Sequence, residues 1–195
     1  MKKNIISILL CTVFLYLVSC EDNPVTISNT VNKYAPYKVG AFWVYERSKA
    51  GDINYYYSEE VISKEYERKY KVIDTHTFVD TANVDTVYIV DTNYIRITDQ
   101  GIISSPPDGM EVYILKEPFE TGNTWSYESI DSLIYTFEIV EDNLSFETPA
   151  GKFNSCLKIN LWDTNNSRLL WEVIFAPYVG MVAFDSYNLI SYKIP

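Results

Sequence analysis

The chain has 195 residues, 15% of them aromatic, and a formal net charge of −10. This acidic balance argues against a nucleic-acid-binding protein or one that adheres to anionic lipid, because both need a basic face. Two of the three cysteines lie within the first 20 residues, so the remainder, with one cysteine, forms no internal disulfide.

The first segment is typical of a bacterial lipoprotein signal. Lys2 and Lys3 precede an apolar run over residues 5–18, which is shorter than the roughly 20 residues that span a bilayer. The run ends in LVSC (17–20) and resembles the lipobox, in which the signal is cleaved before the cysteine and the thiol receives lipid. We predict a signal peptide over residues 1–19 and palmitate-type lipidation of Cys20. An ordinary secretory signal that contains a cysteine is the alternative.

Residues 20–34 are predicted to be the lipidated cysteine and a flexible tether. The segment is polar, and as a flexible coil it would reach about 20 Å. Glu21 and Asp22 resemble the acidic export tag of Bacteroidota surface lipoproteins, although plain tether composition explains them equally well. We therefore predict an outer-membrane protein whose membrane partner is bound through Cys20, on either the periplasmic or the cell-surface face.

Residues 35–195 are predicted to form a single all-β domain. Apolar and polar residues alternate with a period of two, as in residues 133–140, 155–162 and 169–175, and Tyr, Val, Ile and Phe dominate these runs. Residues 61–72 also fit a helix, but we favour a hairpin there. Turn residues at 50–52, 106–109, 141–143 and 163–166 divide the chain into about ten to twelve strands of an antiparallel meander.

An internal repeat divides this domain into two similar β units, at about 35–115 and 117–195. PYKVGAFWVYE (36–46) returns as PFETGNTWSYE (118–128). In each copy a glycine precedes a strand in which Trp and Tyr, two residues apart, share one face. Large aromatic pairs of this kind usually anchor a core. We interpret Trp43, Tyr45, Trp125 and Tyr127 as structural anchors, with a ligand-binding face as the alternative.

Three motifs together resemble a group of uncharacterised Bacteroidota-type outer-membrane lipoprotein domains. They are the G-x-x-W-x-Y repeat, PAGKF (149–153) and APYVGMV (176–182). The resemblance implies an antiparallel β fold, either a curved half-barrel or a sandwich, and no established activity. Tyr178 stands where the group often has glycine, so we expect a turn that a bulky residue can adopt.

No motif for catalysis or for a cofactor is evident. The sequence lacks a phosphate loop, a C-x-x-C pair and paired histidines, and the single histidine, His76, has no serine motif to serve. Cys156 fits a half-buried strand cysteine better than a nucleophile. We predict no enzyme, no catalytic residue, no cofactor and no metal site. Four Asp-Thr pairs fit strand ends better than a cation site; they begin at Asp74, Asp80, Asp85 and Asp91.

Three functions remain, in order of preference. The first is an envelope-anchored interaction or accessory module with a protein partner. The second is a module that binds a hydrophobic molecule or a glycan on a curved sheet face. The third is a hydrolase with an unmarked carboxylate pair. An open apolar face would favour the second, a closed core the first, and two close carboxylates in a cleft the third.

Overall fold

The computed structural model describes residues 29–50, 53–65, 68–83, 85–106 and 109–195. The predicted signal peptide, Cys20 and residues 21–28 lie outside the described residues. The structure contains one short helix, α1 (Asn29–Tyr34), followed by strands. These are β1 (Phe42–Ala50), β2 (Ile53–Lys64), β3 (Lys69–Asp80), β4 (Asp85–Ile97), β5 (Gly101–Ser105), β6 (Val112–Lys116), β7 (Thr124–Glu128), β8 (Ile134–Thr148), β9 (Gly151–Asp163), β10 (Arg168–Ala176), β11 (Gly180–Phe184) and β12 (Tyr187–Lys193).

The twelve strands form a single antiparallel sheet in the order β6-β5-β4-β3-β2-β1-β12-β11-β10-β9-β8-β7. Two six-stranded meanders therefore meet where β1 pairs with β12. The end strands β6 and β7 come close again: the Trp125 indole N–H donates to the Tyr113 carbonyl oxygen (2.8 Å), and the Asn123 side-chain amide donates to that of Lys116 (2.9 Å). The sheet is a nearly closed barrel, which confirms the predicted all-β antiparallel meander.

The two copies of the sequence repeat adopt the same local backbone structure. Gly40 and Gly122 both have a positive φ, 83° and 92°, which glycine tolerates at no steric cost. Both donate a backbone hydrogen bond of 2.8 Å across the sheet, Gly40 to Val61 and Gly122 to Ile139. Each copy leads into the first strand of its own meander. The repeat thus marks two equivalent strand entries.

The end of the predicted tether is corrected by the structure, because its last six residues form α1. Val31 and Tyr34 are buried in the core. The Tyr34 hydroxyl donates to the Ser155 carbonyl oxygen (2.9 Å), and the Tyr178 amide donates to the Lys33 carbonyl oxygen (2.5 Å). Burial of these apolar side chains holds α1 on the barrel, which composition alone did not indicate. No helix in the described part of the chain is long and apolar enough to cross a membrane.

One local expectation is wrong and two are confirmed. The predicted turn at 141–143 lies inside β8, where shifts of register on both sides accommodate extra residues as bulges. Tyr178 adopts φ 64°, a left-handed conformation that favours glycine, with its ring mostly in solvent. A bulky residue therefore does occupy this turn, as expected, in a backbone conformation that is less costly for glycine. Residues 61–72 do form the expected hairpin, since β2 ends at Lys64 and β3 begins at Lys69.

Candidate functional site

A cavity of about 490 Å³ lies within the barrel and is lined from nine of the twelve strands. Its volume is in the range of small-molecule sites, which span roughly 300–1,000 Å³. Most of the wall is apolar, and rings contribute much of it. The aromatic wall residues that matter most here are Tyr57, Phe137, Trp171, Phe184 and Tyr187.

The rings of the wall are fixed by contacts with one another. Tyr57 packs edge-on against Phe184, with ring centroids 5.2 Å apart, and Phe184 stacks on Tyr187 at 4.9 Å. His76, on the neighbouring strand, lies 4.9 Å from the Tyr57 ring. Trp171 lines the cavity and is nevertheless 58% exposed, so the cavity opens to solvent beside this indole. The result is a packed aromatic wall that is accessible to solvent beside Trp171.

Three acidic residues stand side by side across β2, β3 and β4. Glu59 is the direct cross-strand partner of Asp74, and Asp74 is that of Asp91. Directly opposed residues share one face, with Cβ atoms about 5 Å apart, and like charges there repel. Glu59 lines the cavity and accepts a hydrogen bond from the Tyr57 hydroxyl (2.8 Å). The Asp74 Oδ1 atom is buried and has no hydrogen-bond partner among the described residues.

Burial changes the protonation of this pair. It raises the pKa of Glu59 to about 8, assisted by the Asp74 charge and opposed by the hydrogen bond from Tyr57. Burial also raises the pKa of Asp74 to about 6. The hydrogen bond from Tyr57 lowers this pKa, and the Asp91 charge raises it further. The pKa of Tyr57 itself is raised well above its usual value, first by burial, so this hydroxyl stays a neutral donor. At neutral pH the two carboxyl groups therefore hold about one proton between them.

The Asp-Thr pairs divide into two kinds. Asp80 and Asp85 flank the turn between β3 and β4, so the strand-end interpretation is confirmed for them. Asp74 and Asp91 lie within their strands and face each other, so for them it is wrong. The β3–β4 register, which the sequence does not show, brings Asp74 and Asp91 together. Within the described ranges, no three His, Cys, Asp or Glu side chains are placed to hold a metal ion.

The first Trp–Tyr pair of the repeat is fully enclosed. The Trp43 indole N–H donates to the Val179 carbonyl oxygen (2.7 Å), and the Tyr45 hydroxyl donates to that of Met181 (3.0 Å). These bonds tie β1 to the segment around the start of β11. Satisfying the polar atom of each ring makes burial of these aromatic residues favourable.

The second pair lies at the seam between β6 and β7. Trp125 is buried and stacks on Phe137 at 5.2 Å, and the half-buried Tyr127 stacks on Tyr135, also at 5.2 Å. Since Phe137 lines the cavity, Trp125 supports the wall from behind. Of the other candidates, His76 lies on the wall itself, and Cys156 is a fully buried residue of β9.

Sequence reasoning missed Glu59 and Trp171 as site residues, and it named Asp74 only as the start of an Asp-Thr pair. A weak signal was available, because Glu59 occupies the position after Tyr55 and Tyr57 on one strand face, where an apolar residue is expected. A charged residue in that series is costly to bury and so indicates a site. The partnership with Asp74 depends on the β2–β3 register and has no sequence signal.

No protein-family model and no curated protein matches the chain. The structure has a likeness to the crystal structure, at 2.70 Å resolution, of a candidate lipoprotein from Parabacteroides distasonis. The two are 16% identical, the TM-score is 0.42, and the match covers 80% of this chain and 96% of that chain. A likeness of this extent assigns neither family nor function. The class of protein defined by the described residues is an antiparallel β barrel with an aromatic-walled cavity and a carboxyl pair.

Proposed function

We propose that the protein is an outer-membrane lipoprotein, anchored through Cys20, whose barrel binds a small and largely apolar molecule in its cavity. The observation that carries this proposal is the cavity of about 490 Å³ with its aromatic wall. Among the three functions considered, the binding module therefore comes before the accessory module. The apolar wall favours a hydrophobic molecule over a glycan.

The physical reason concerns packing. Protein interiors are close-packed, with few voids larger than a water molecule. Side chains around a void lose the dispersion contacts that an occupant would restore. Here Val173, Phe175 and Phe184 present apolar surface to the cavity. A molecule that fills the space therefore gains both hydrophobic burial and contacts with rings that are already in place.

The proposed lipid anchor would place the barrel close to a source of apolar molecules. The lipobox-like end of the apolar run supports lipidation of Cys20, and the short segment that follows would hold the barrel near the membrane surface. A barrel in that position has access to molecules that partition into the membrane. The outer membrane itself is inferred from the resemblance of the N-terminal segment.

A dye titration tests the proposal. The form covering residues 21–195 is titrated with N-phenyl-1-naphthylamine, an apolar dye whose fluorescence rises on burial. Val173→Trp adds an indole inside the cavity, whereas Val87→Trp adds the same group on an exposed strand. We expect saturable dye binding in the wild type and in Val87→Trp, and much weaker binding in Val173→Trp. Equal binding by all three folded proteins would contradict the proposal.

A second candidate, the accessory module, is favoured by one exposed surface. Four consecutive apolar residues of β4, Val87 to Val90, are 48–66% exposed. β5 pairs with β4 only at residues 94–97, so the outer edge of β4 residues 85–93 is unpaired within the described structure. Such an edge can accept a strand from a partner. Crosslinking of the full chain in the envelope tests this: Tyr88→Lys should lose a crosslinked protein that Ile130→Lys, an exposed site elsewhere, retains.

A further inference from the structure

We infer that the molecule bound in the cavity carries a positively charged nitrogen, held against the carboxyl pair of Glu59 and Asp74. This inference rests on the proposed cavity function and adds the chemical class of the ligand: an amine or quaternary ammonium with an apolar body. It depends on three features of the described residues: unbalanced negative charge, the chemistry of the wall, and the hydrogen bonding of the pair.

Among the described residues, the carboxyl groups on the cavity wall form no ion pair with Lys or Arg. Glu59 and Asp185 are on the wall, and none of the lining residues is Lys or Arg. The ion pairs of the described chain join Arg96 to Glu111 and Lys158 to Glu172, so neither involves Glu59 or Asp74. Buried charges in proteins are normally paired, and an unpaired one is strongly unfavourable. A ligand cation would provide the missing partner.

The wall also suits a cation. Positive charge is attracted to the faces of Trp and Tyr rings. Tyr57, beside the carboxyl pair, and Tyr187 both line the cavity. The Arg47 guanidinium lies 5.8 Å from the centroid of the Tyr187 ring, which shows a cation beside one ring of this wall. Carboxylates together with aromatic faces form the usual environment of a bound ammonium group.

One carboxylate oxygen of the pair lacks a hydrogen-bond donor, which an ammonium group can supply. Glu59 accepts from Tyr57, while the buried Asp74 Oδ1 has no donor within the described structure. An ammonium group offers up to three N–H donors as well as charge. An anion would be repelled, and a neutral alcohol would leave the net charge in place. Since no three metal-ligating side chains converge in the described ranges, a metal ion is disfavoured.

Binding of a cation should also displace the proton that the pair retains. The groups that face the pair include Tyr57 on the same strand, His76 on β3, Asp91 on β4, and the buried Tyr37 and Tyr45. Burial and mutual repulsion keep a proton on Glu59 at neutral pH, because they raise its pKa to about 8. A bound ammonium stabilises both carboxylates and expels this proton. Affinity for the amine should therefore rise between pH 6 and pH 8.

Photolabelling of the full chain tests the inference. The protein is reconstituted in phosphatidylcholine nanodiscs and exposed to a diazirine-bearing octylamine or to the matched octanol. Mass spectrometry then measures labelling of wall residues such as Trp171 and Tyr187. Glu59→Gln removes one charge of the pair, and Glu60→Gln removes the exposed charge next to it on the same strand. Because all variants share the same lipid, partitioning of the probes cancels in the comparison.

We expect the amine to label the wall in the wild type and in Glu60→Gln, and about tenfold less in Glu59→Gln, the usual effect of losing a charged hydrogen bond. The octanol should label all three equally. Equal labelling by both probes in the wild type, or an unchanged amine signal in Glu59→Gln, overturns the inference and leaves the cavity function standing. Failure of both probes in the wild type contradicts the cavity function too. If Glu59→Gln does not fold, Asp74→Asn replaces it.

Discussion

Replacing Glu59 by Gln should stabilise the ligand-free protein, and increasingly so as the pH rises. Glu59 lines the cavity beside Asp74, and burial raises its pKa from 4.5 to about 8. Below pH 4.5 the residue is protonated in both folded and unfolded states, so its ionisation costs nothing. As the pH rises towards 8, the unfolded chain releases the proton while the folded protein retains it. The folded state therefore loses stability throughout this interval.

The magnitude follows from the same values. One pH unit of difference in pKa corresponds to about 1.4 kcal/mol, so a change from 4.5 to about 8 gives an upper limit of about 5 kcal/mol. Part of this reflects the repulsion between Glu59 and the Asp74 charge, which is relieved whichever residue is neutralised. Gln keeps the shape of the side chain and a carbonyl that accepts from Tyr57. We therefore expect a gain of about 2–3 kcal/mol at pH 8.5 and near zero at pH 4.5.

Urea denaturation monitored by tryptophan fluorescence measures this gain at the two pH values. Glu60→Gln is the matched control, because residue 60 lies on the same strand and is exposed. We expect its free energy of unfolding to follow that of the wild type at both pH values. A loss of stability in Glu59→Gln that is equal at pH 4.5 and pH 8.5 would refute the assignment of Glu59 as a buried, proton-retaining carboxyl.

In urea denaturation, Gly101→Ala should lower the free energy of unfolding by about 1–3 kcal/mol more than Gly151→Ala. Both glycines have a positive φ, but only at Gly101 would an added Cβ lie 2.0 Å from a backbone oxygen of β6. Equal losses would exclude this close approach. Trp43→Phe should lower the free energy of unfolding by about 1–3 kcal/mol, since the buried Val179 carbonyl loses its indole donor. Trp171→Phe, at the mostly exposed rim, should cost little by the same assay. Cys20→Ala should release the protein from membranes; pelleting after a high-salt wash would contradict the lipid anchor.

The fold was predictable because its strands carry their signal locally. Alternation in residues 155–162 and 169–175 reflects one face on the core, and these segments lie within β9 and β10. The repeated glycine ahead of Trp43 and Trp125 marked two strand entries that the structure shows to be equivalent. Local pattern failed at 141–143, where polar residues suggest a turn but β8 continues through bulges.

The site was not predictable for a different reason. Glu59 and Asp74 are 15 positions apart and become partners only through the β2–β3 register. Register depends on contacts across the whole sheet, and a slip of one residue would turn every side chain to the other face. The cavity likewise needs side chains from nine strands, so no single segment indicates it. The aromatic residues that the sequence did single out support the wall or the core.

Extraction of the full chain from its native envelope tests the cavity function most directly. The protein and its Val173→Trp variant are purified in parallel, denatured in organic solvent, and the released small molecules are identified by mass spectrometry. We predict one molecule of an apolar compound with a basic nitrogen per wild-type barrel, and little or none from the variant. A wild-type protein that yields no bound apolar molecule, or the same molecules at the same amount from both proteins, would contradict the assignment of the cavity as a binding site. A bound apolar molecule without a basic nitrogen would overturn only the inferred charge of the ligand.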